Sequence, residues 1–523
     1  MPARLDGVRA LLARLSPTSR PTLWICGSHI AVALLLFDPK PFVGGDNFWY
    51  MLLGESLRSG EGYRDLWLPD APLHARFPPV YPTVLAGLGF IANSVFLFKL
   101  FSLACTTAIA ALTYRLAMDR TSDQRLAFFA GLLAAFAAVL VEYSHWVLSE
   151  PLFAFLVTLA VYAFAKEEKT DAVLWFAVGT AAAVLAALTR SAGYALLPAI
   201  VVSLGYRRRW KRLGLFVVVT GLAVGGWWLR NRMALSGDLP YTQWLLFRDP
   251  YNPELGTISL LELGLRLLEN LEFYTFVVLP ESIGGRDLGG WLSLAIGLIL
   301  AITIALGAFR RLRKLQVAEV FFFGYLGLIL LWPGAWADQR LLLPVLPVAI
   351  IFLLEALHWA VGAGKAAEGS GSLRFRLPAT LFILFAAFGN LQALPAALFC
   401  SELYWSRYVY ACYPPEIADF MKSAVWAREH TVPEAIVVNR KPQVYYWYAR
   451  RPGIVYPFTE DTDSVLRFIK SQGATHVVLD TWTGTSFRYL LPAIDQNLDR
   501  FDLVHVEGDP PTLTLKVAAR GVE

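Results

Sequence analysis

Apolar residues along this chain fall in blocks of roughly 16–23, each long enough as a helix to cross a hydrocarbon layer of about 30 Å. No soluble core needs that many such blocks. Hydrophobic residues make up 56% of the 523, and charged residues only 17%, where a soluble protein carries about a quarter. The pattern therefore predicts an α-helical polytopic membrane protein. The net charge of +5 is modest and gives no footprint for nucleic acid.

The basic residues orient the chain. Short cytoplasmic loops carry an excess of lysine and arginine. The N-terminus is basic (Arg4, Arg9, Arg14, Arg20), and Leu23–Phe37 comes next as a retained anchor without a small-residue cleavage site. Val80–Ala92 is too short to cross easily and reads as a re-entrant or interfacial helix. With that choice the segments Arg115–Arg125, Lys166–Lys169, Arg207–Arg212, Arg310–Lys314 and Lys365–Arg376 all lie inside. Counting it as a crossing would put all of these later clusters outside. The spans are then Leu23–Phe37, Val95–Ala117, Leu126–Tyr143, Pro151–Ala165, Ala172–Leu188, Ala192–Tyr206, Leu213–Leu229, Gly290–Phe309, Val317–Trp332, Leu341–Val361 and Leu377–Phe399. That makes about eleven, with the N-terminus cytoplasmic in a plasma (inner) membrane. Thr257–Leu279 carries Glu262, Arg266, Glu269 and Glu272 and reads as an amphipathic helix on the outer surface.

Beyond Ser401 the pattern changes. Pro415–His430, Ser464–Gln472 and Phe487–Leu498 read as helices. Ala435–Asn439, Thr475–Asp480, Phe501–Glu507 and Thr512–Val517 read as strands. Such alternation predicts a small extracytoplasmic α/β domain over 401–523, with no Gly-rich phosphate loop. Residues 1–400 form the membrane part, with external loops over 38–82 and 231–289. Cys26 and Cys105 fall in apolar spans, whereas Cys400 and Cys412 could pair on an oxidising side.

Polar residues collect on the external side. The first loop holds Gly44-Gly45-Asp46-Asn47-Phe48-Trp49-Tyr50, then His74-Ala75-Arg76-Phe77-Pro78-Pro79-Val80-Tyr81-Pro82. Later external turns hold Glu142, His145 and Glu150; Arg190; Arg230 and Arg232; and Asp338 with Arg340. Ionisable residues at membrane depth are costly, so they tend to be paired or functional. Each has a plainer reading. Asp46 could cap a helix, and Glu150 sits where a helix N-terminus favours negative charge. Arg190 and Arg230 could anchor the interface, and Arg340 could pair with Asp338. His74 and His145 are isolated. No His, Asp or Glu cluster has metal-ligand spacing, so a divalent metal is left open without support.

The ordered set resembles the polytopic GT-C glycosyltransferases that use polyprenyl-phosphate sugars, nearest in pattern to the protein O-mannosyltransferase-like and lipid A aminoarabinose transferase-like enzymes. The matching pieces are Asp46, Arg76–Pro82, Ser149-Glu150-Pro151, Leu188–Gly193, Trp228–Asn231 and Asp338–Pro344. The resemblance implies inverting transfer of a sugar from a polyprenyl-phosphate donor to a hydroxyl of a lipid, glycan or protein acceptor outside the cytoplasm. Asp46 would be the general base, with Glu150 a second catalytic carboxylate. Arg76, Arg340, Arg190 and Arg230 would bind the donor phosphate; Asn47, Tyr50, His74 and Tyr81 would face sugar or acceptor. Several protein mannosyltransferases carry two adjacent acids where this chain has Asp46-Asn47, which argues against protein mannosylation in particular. The rival classes are a membrane transporter and a non-catalytic scaffold.

Overall fold

The computed structural model describes residues 20–42, 44–234, 241–285, 289–362, 370–406 and 409–518. Arg4, Arg9, Arg14 and Lys365 lie outside the described residues. The described chain is mostly helical. Among the described residues five helices are long and apolar enough to cross a membrane: Val95–Thr121, Ser149–Thr170, Trp210–Met233, Gly290–Leu312 and Arg374–Trp405. Shorter apolar helices occupy Pro21–Leu35, Val80–Ile91, Val173–Ala187, Ser191–Tyr206, Val317–Leu330 and Leu346–Ala360.

One expected span is not straight. Leu126–Tyr143 breaks into Gln124–Phe136 and Ala138–His145, bent by 54°. Neither proline nor glycine marks the break. Ala137 leaves helical geometry at φ −56°, ψ 124°, and the interruption lets the chain turn through a 3₁₀ segment, Tyr143–His145, into the helix beginning at Ser149.

The chain divides into two compact units. The first draws on Met1–Asp38, Val95–Arg230 and Ser259–Leu398, the second on Pro39–Ser94, Asn231–Ile258 and Phe399–Glu523. A sequence cut near residue 400 leaves the first loop with the membrane part; contacts group that loop with the C-terminal segment.

Within the first unit, helices approach through small residues, as they do where lipid gives no hydrophobic drive. Gly307 faces the Phe352 carbonyl so closely that no side chain fits. The basic loops are held by buried carboxylates. Arg120 donates to Glu319 at 2.5 Å, and Arg207 reaches Glu167 at 2.7 Å. The amphipathic segment starts at Ser259 with a capping box: Ser259 Oγ accepts from the Glu262 N–H while Glu262 accepts from the Ser259 N–H.

The second unit contains a five-stranded sheet. Its strands are β1 (Val437–Val438), β2 (Gly453–Ile454), β3 (His476–Leu479), β4 (Phe501–Glu507) and β5 (Thr512–Val517). They lie in the order β2-β1-β3-β5-β4. β1 is parallel to both β2 and β3, and β5 is antiparallel to β3 and β4. Val438, Val465, Ile469, Val477, Tyr489 and Leu490 fill the core. The helix Pro415–His430 forms with the expected bounds. The helix expected over Phe487–Leu498 is instead a π-turn, Ser486–Leu490, followed by Leu491–Asp495, with proline at position 492 unable to continue the π-turn's hydrogen bonding. Cys400 Sγ lies 4.0 Å from the Cys412 carbonyl oxygen.

Candidate active site

The first loop begins with a turn that only glycine enters without strain. Gly44 and Gly45 take φ of +107° and +60°, a region that costs other residues about 1–2 kcal/mol. The turn delivers Asp46 to the N-cap position of the helix Asn47–Arg58, yet its side chain makes no capping hydrogen bond. The half-buried carboxylate is thus not engaged by the helix it precedes.

Around Asp46 the loop is an aromatic core. Phe42 stacks on Phe48 at 5.6 Å, and Trp49 meets Trp67 at 4.7 Å. Tyr50 and Tyr81 are buried against each other, 5.1 Å between rings. Asn47 is fully buried and donates from Nδ2 to the Pro41 carbonyl at 2.8 Å. His74 is fully buried too. Its Nε2 accepts from the Phe77 N–H at 2.7 Å, so the ring proton sits on Nδ1 and is donated to Asp65 Oδ1 at 2.6 Å. These contacts leave neither ring nitrogen for a sugar. His74 is thus held by the loop at both nitrogens, and Asn47, Tyr50 and Tyr81 are buried within it.

Arg76 is placed by that packing. Its guanidinium lies 5.6 Å from the Trp49 ring and 5.5 Å from Phe77. The preceding carbonyl, that of Ala75, accepts from Asn231 Nδ2 at 3.0 Å. Cation–π contact with two rings holds the guanidinium at the loop.

The C-terminal segment joins this group, which sequence reasoning missed. Phe48 packs on Trp447 at 5.1 Å, Phe42 on Trp482 at 5.4 Å, and the Phe42 N–H donates to Tyr413 Oη at 3.0 Å. Lys441 belongs to the same neighbourhood. Burial pushes its ammonium down to about 8, Arg440 and Arg76 push the same way, and Asp46 and Asp480 oppose them. Burial raises the Asp480 carboxyl above its ordinary value. The available signal was positional: Arg440-Lys441 directly follows one strand-like run and Asp480 ends another.

The first unit has its own charged group. Glu150 is 2% exposed and lies 2.8 Å from Arg190 Nη1, which also donates to Ser149 Oγ at 2.9 Å. Arg340 Nη1 stands 3.8 Å from the same Glu150 oxygen, and its Nε is 3.8 Å from Asp338. The expected Asp338 pair is thus no closer than the one to Glu150. Gln339 Nε2 donates to Glu142 at 2.6 Å. Arg230 lies 5.1 Å from the Trp227 ring on the helix Trp210–Met233. Glu150 is thus a counter-ion to two arginines. Among the described residues no three His, Cys, Asp or Glu side chains converge as a metal site.

Residues 75–250 match the dolichyl-phosphate-mannose-protein mannosyltransferase family. No curated protein sequence matches the chain. Among solved structures, ArnT from Cupriavidus metallidurans in the apo state aligns at a TM-score of 0.59 and 14% identity, over 96% of this chain and 99% of that one. The same enzyme bound to undecaprenyl phosphate aligns at 0.61 and 14% identity, over the same shares. The resemblance drawn from the ordered motifs stands: this chain is a multi-pass membrane protein with the fold of the polytopic GT-C glycosyltransferases, and its residues 75–250 match their protein-mannosyltransferase family.

Proposed function

We propose that this protein transfers a sugar from a polyprenyl-phosphate donor to an acceptor hydroxyl on the extracytoplasmic face, with inversion. The observation that carries the reading is Asp46. It is a half-buried carboxylate, fixed by a glycine turn and an aromatic core, unengaged by its helix, in the same compact unit as Arg76.

The acceptor O–H gives its proton to the Asp46 carboxylate as its oxygen attacks the anomeric carbon. The bond from that carbon to the phosphate oxygen breaks, and the electron pair leaves with the polyprenyl phosphate. Arg76 meets the growing negative charge with its guanidinium donors. A positioned general base supplies about 10²–10⁴-fold. Arg190 and Arg340, held by Glu150, form a second cationic group available to an anionic ligand. ArnT, whose structure was solved with undecaprenyl phosphate, supports the choice of donor class.

The test is a strain lacking this protein, with mass analysis of its envelope glycans, glycoproteins and lipids. A sugar that disappears, and returns with the wild-type gene but not with Asp46→Asn, supports the reading. An unchanged envelope in the absence of the protein overturns it.

A further inference from the structure

In the C-terminal sheet the chain leaves β1 for its neighbour β2, then passes back beyond β1 to β3. The strand order therefore reverses at β1. Open α/β sheets bind ligands outside the carboxyl ends of their strands at such a reversal, because the loops there diverge and leave a crevice. The chain leaves β1 through Asn439-Arg440-Lys441 and leaves β3 through Asp480-Thr481-Trp482.

This edge carries more positive charge than its own carboxylates balance. Arg440 Nε donates to Thr485 Oγ1 at 2.9 Å, and its guanidinium lies 5.0 Å from the Phe458 ring. The Lys441 ammonium lies 5.9 Å from the Trp482 ring. Asp480 already accepts from Ser486 Oγ at 2.9 Å and from the Trp482 N–H at 3.0 Å. The first loop covers the same edge: Phe42 stands edge-on to Trp482 at 5.4 Å. Asp46 and Arg76 are both close enough to act on the charge of Lys441. Arg440, Lys441 and Arg76 thus bring three cations to this edge, with Asp46 and Asp480 beside Lys441. Cations gathered in this way favour a bound anion.

We infer that the carboxyl edge of the C-terminal sheet is a phosphate-binding site, where Lys441 and Arg440 act with Arg76 on the phosphoryl oxygens of the lipid-linked donor. The inference rests on the donor reading of Arg76 given above. It gives the C-terminal domain a direct part in binding. Arginine brings a planar fork and lysine a movable point charge, a combination suited to tetrahedral oxygens. Trp482 and Phe458 lie beside the two cations at 5.9 Å and 5.0 Å.

The site has a pH signature. Lys441 faces Arg440, Arg76, Asp46 and Asp480, and with its proton lost through about pH 8 the empty site loses one positive charge. One-proton linkage makes phosphate binding about tenfold weaker at pH 9 than at pH 7. Lys441→Arg keeps its charge throughout this range. The phosphate's own titration affects both proteins equally, so the comparison isolates Lys441.

The experiment uses full-length protein in nanodiscs, titrated at pH 7 and pH 9 with undecaprenyl phosphate and, separately, with inorganic phosphate. Lys441→Gln should bind undecaprenyl phosphate about ten- to a hundredfold more weakly at pH 7, the loss of one charge-assisted contact. Lys441→Arg should lack the alkaline loss seen in wild type. If wild type binds the lipid phosphate but both variants match it at both pH values, the inference is overturned and the donor reading stands. If wild type binds inorganic phosphate through Lys441 but not the lipid, the edge site stands and the donor reading falls. If wild type binds neither, both fall. Should Lys441→Gln fail to fold, the pH comparison of wild type with Lys441→Arg decides alone.

Discussion

Arg190 Nη1 lies 2.8 Å from Oε1 of Glu150, a carboxylate that is almost fully buried. The two residues lie 40 positions apart, Glu150 in the first turn of the helix beginning at Ser149, and Arg340 approaches the same oxygen at 3.8 Å. Glu150 therefore determines where two arginines stand. Removing one partner of a buried pair leaves an uncompensated charge and costs about 3–5 kcal/mol. Glu150→Ala should lower the thermal unfolding temperature markedly, and Glu150→Ala with Arg190→Ala should cost less than the sum of the singles. Additive losses in a double-mutant cycle would show that the pair is not coupled.

Arg120 offers the same test away from the candidate site. Its guanidinium is nearly buried between Glu319 at 2.5 Å and Glu355 at 3.6 Å. Glu319→Ala should destabilise the protein by about 3 kcal/mol or more while leaving donor affinity of the folded fraction unchanged. Unfolding in detergent and donor titration read the two effects apart.

Gly44 should matter through its backbone alone. Nothing lies within 4 Å of the position a Cβ would take, so space is not the constraint. At φ +107° an alanine is strained, at a cost of about 1–2 kcal/mol. Gly44→Ala should shift Asp46 and lower kcat more than donor affinity. A fall in donor affinity with kcat unchanged would place the turn in binding instead.

The proposed orientation predicts a reporter pattern. A reporter active only outside the cytoplasm should work when fused after Phe399 and fail when fused at Arg209. The reverse pattern would contradict the extracytoplasmic placement of Asp46 and Arg76.

His74 separates packing from sugar binding. With Nδ1 bound to Asp65 and Nε2 to the Phe77 N–H, His74→Ala should lower stability and leave both kcat and the KM for donor of the folded enzyme within about twofold, as expected where no substrate contact is removed. A large KM change without loss of stability would restore a substrate role.

Much of the helical architecture was legible because a membrane demands long apolar runs and internally satisfied backbones. The C-terminal alternation was equally clear where periods were clean, as in Pro415–His430 and Phe501–Glu507. Two elements escaped. Pro442–Ala449 is a helix whose aromatic run, Val444-Tyr445-Tyr446-Trp447-Tyr448, favours strands by composition. Gly453–Ile454 is a strand of two residues, too short for any period. Asp46 and Arg76 could be picked out by family pattern and loop position. The pairings across distance could not be read. Phe42 on Trp482 joins residues 440 positions apart, and no local signal encodes it. Likewise His74 looked like a polar loop residue because its two partners are fixed only once the loop closes. Glu150 was picked out by its place in an external turn and by the family pattern, and its partner Arg190 became visible only with the fold.

The most direct test of the central claim is sugar transfer from a polyprenyl-phosphate donor by purified wild type and Asp46→Asn, both shown to be folded. The substitution keeps size and most hydrogen bonding but cannot take the acceptor's proton. Turnover should fall by about 10²–10⁴-fold, with donor affinity little changed because the loss lies in the transition state. Transfer by Asp46→Asn at near the wild-type rate would contradict the assignment of Asp46 as the general base.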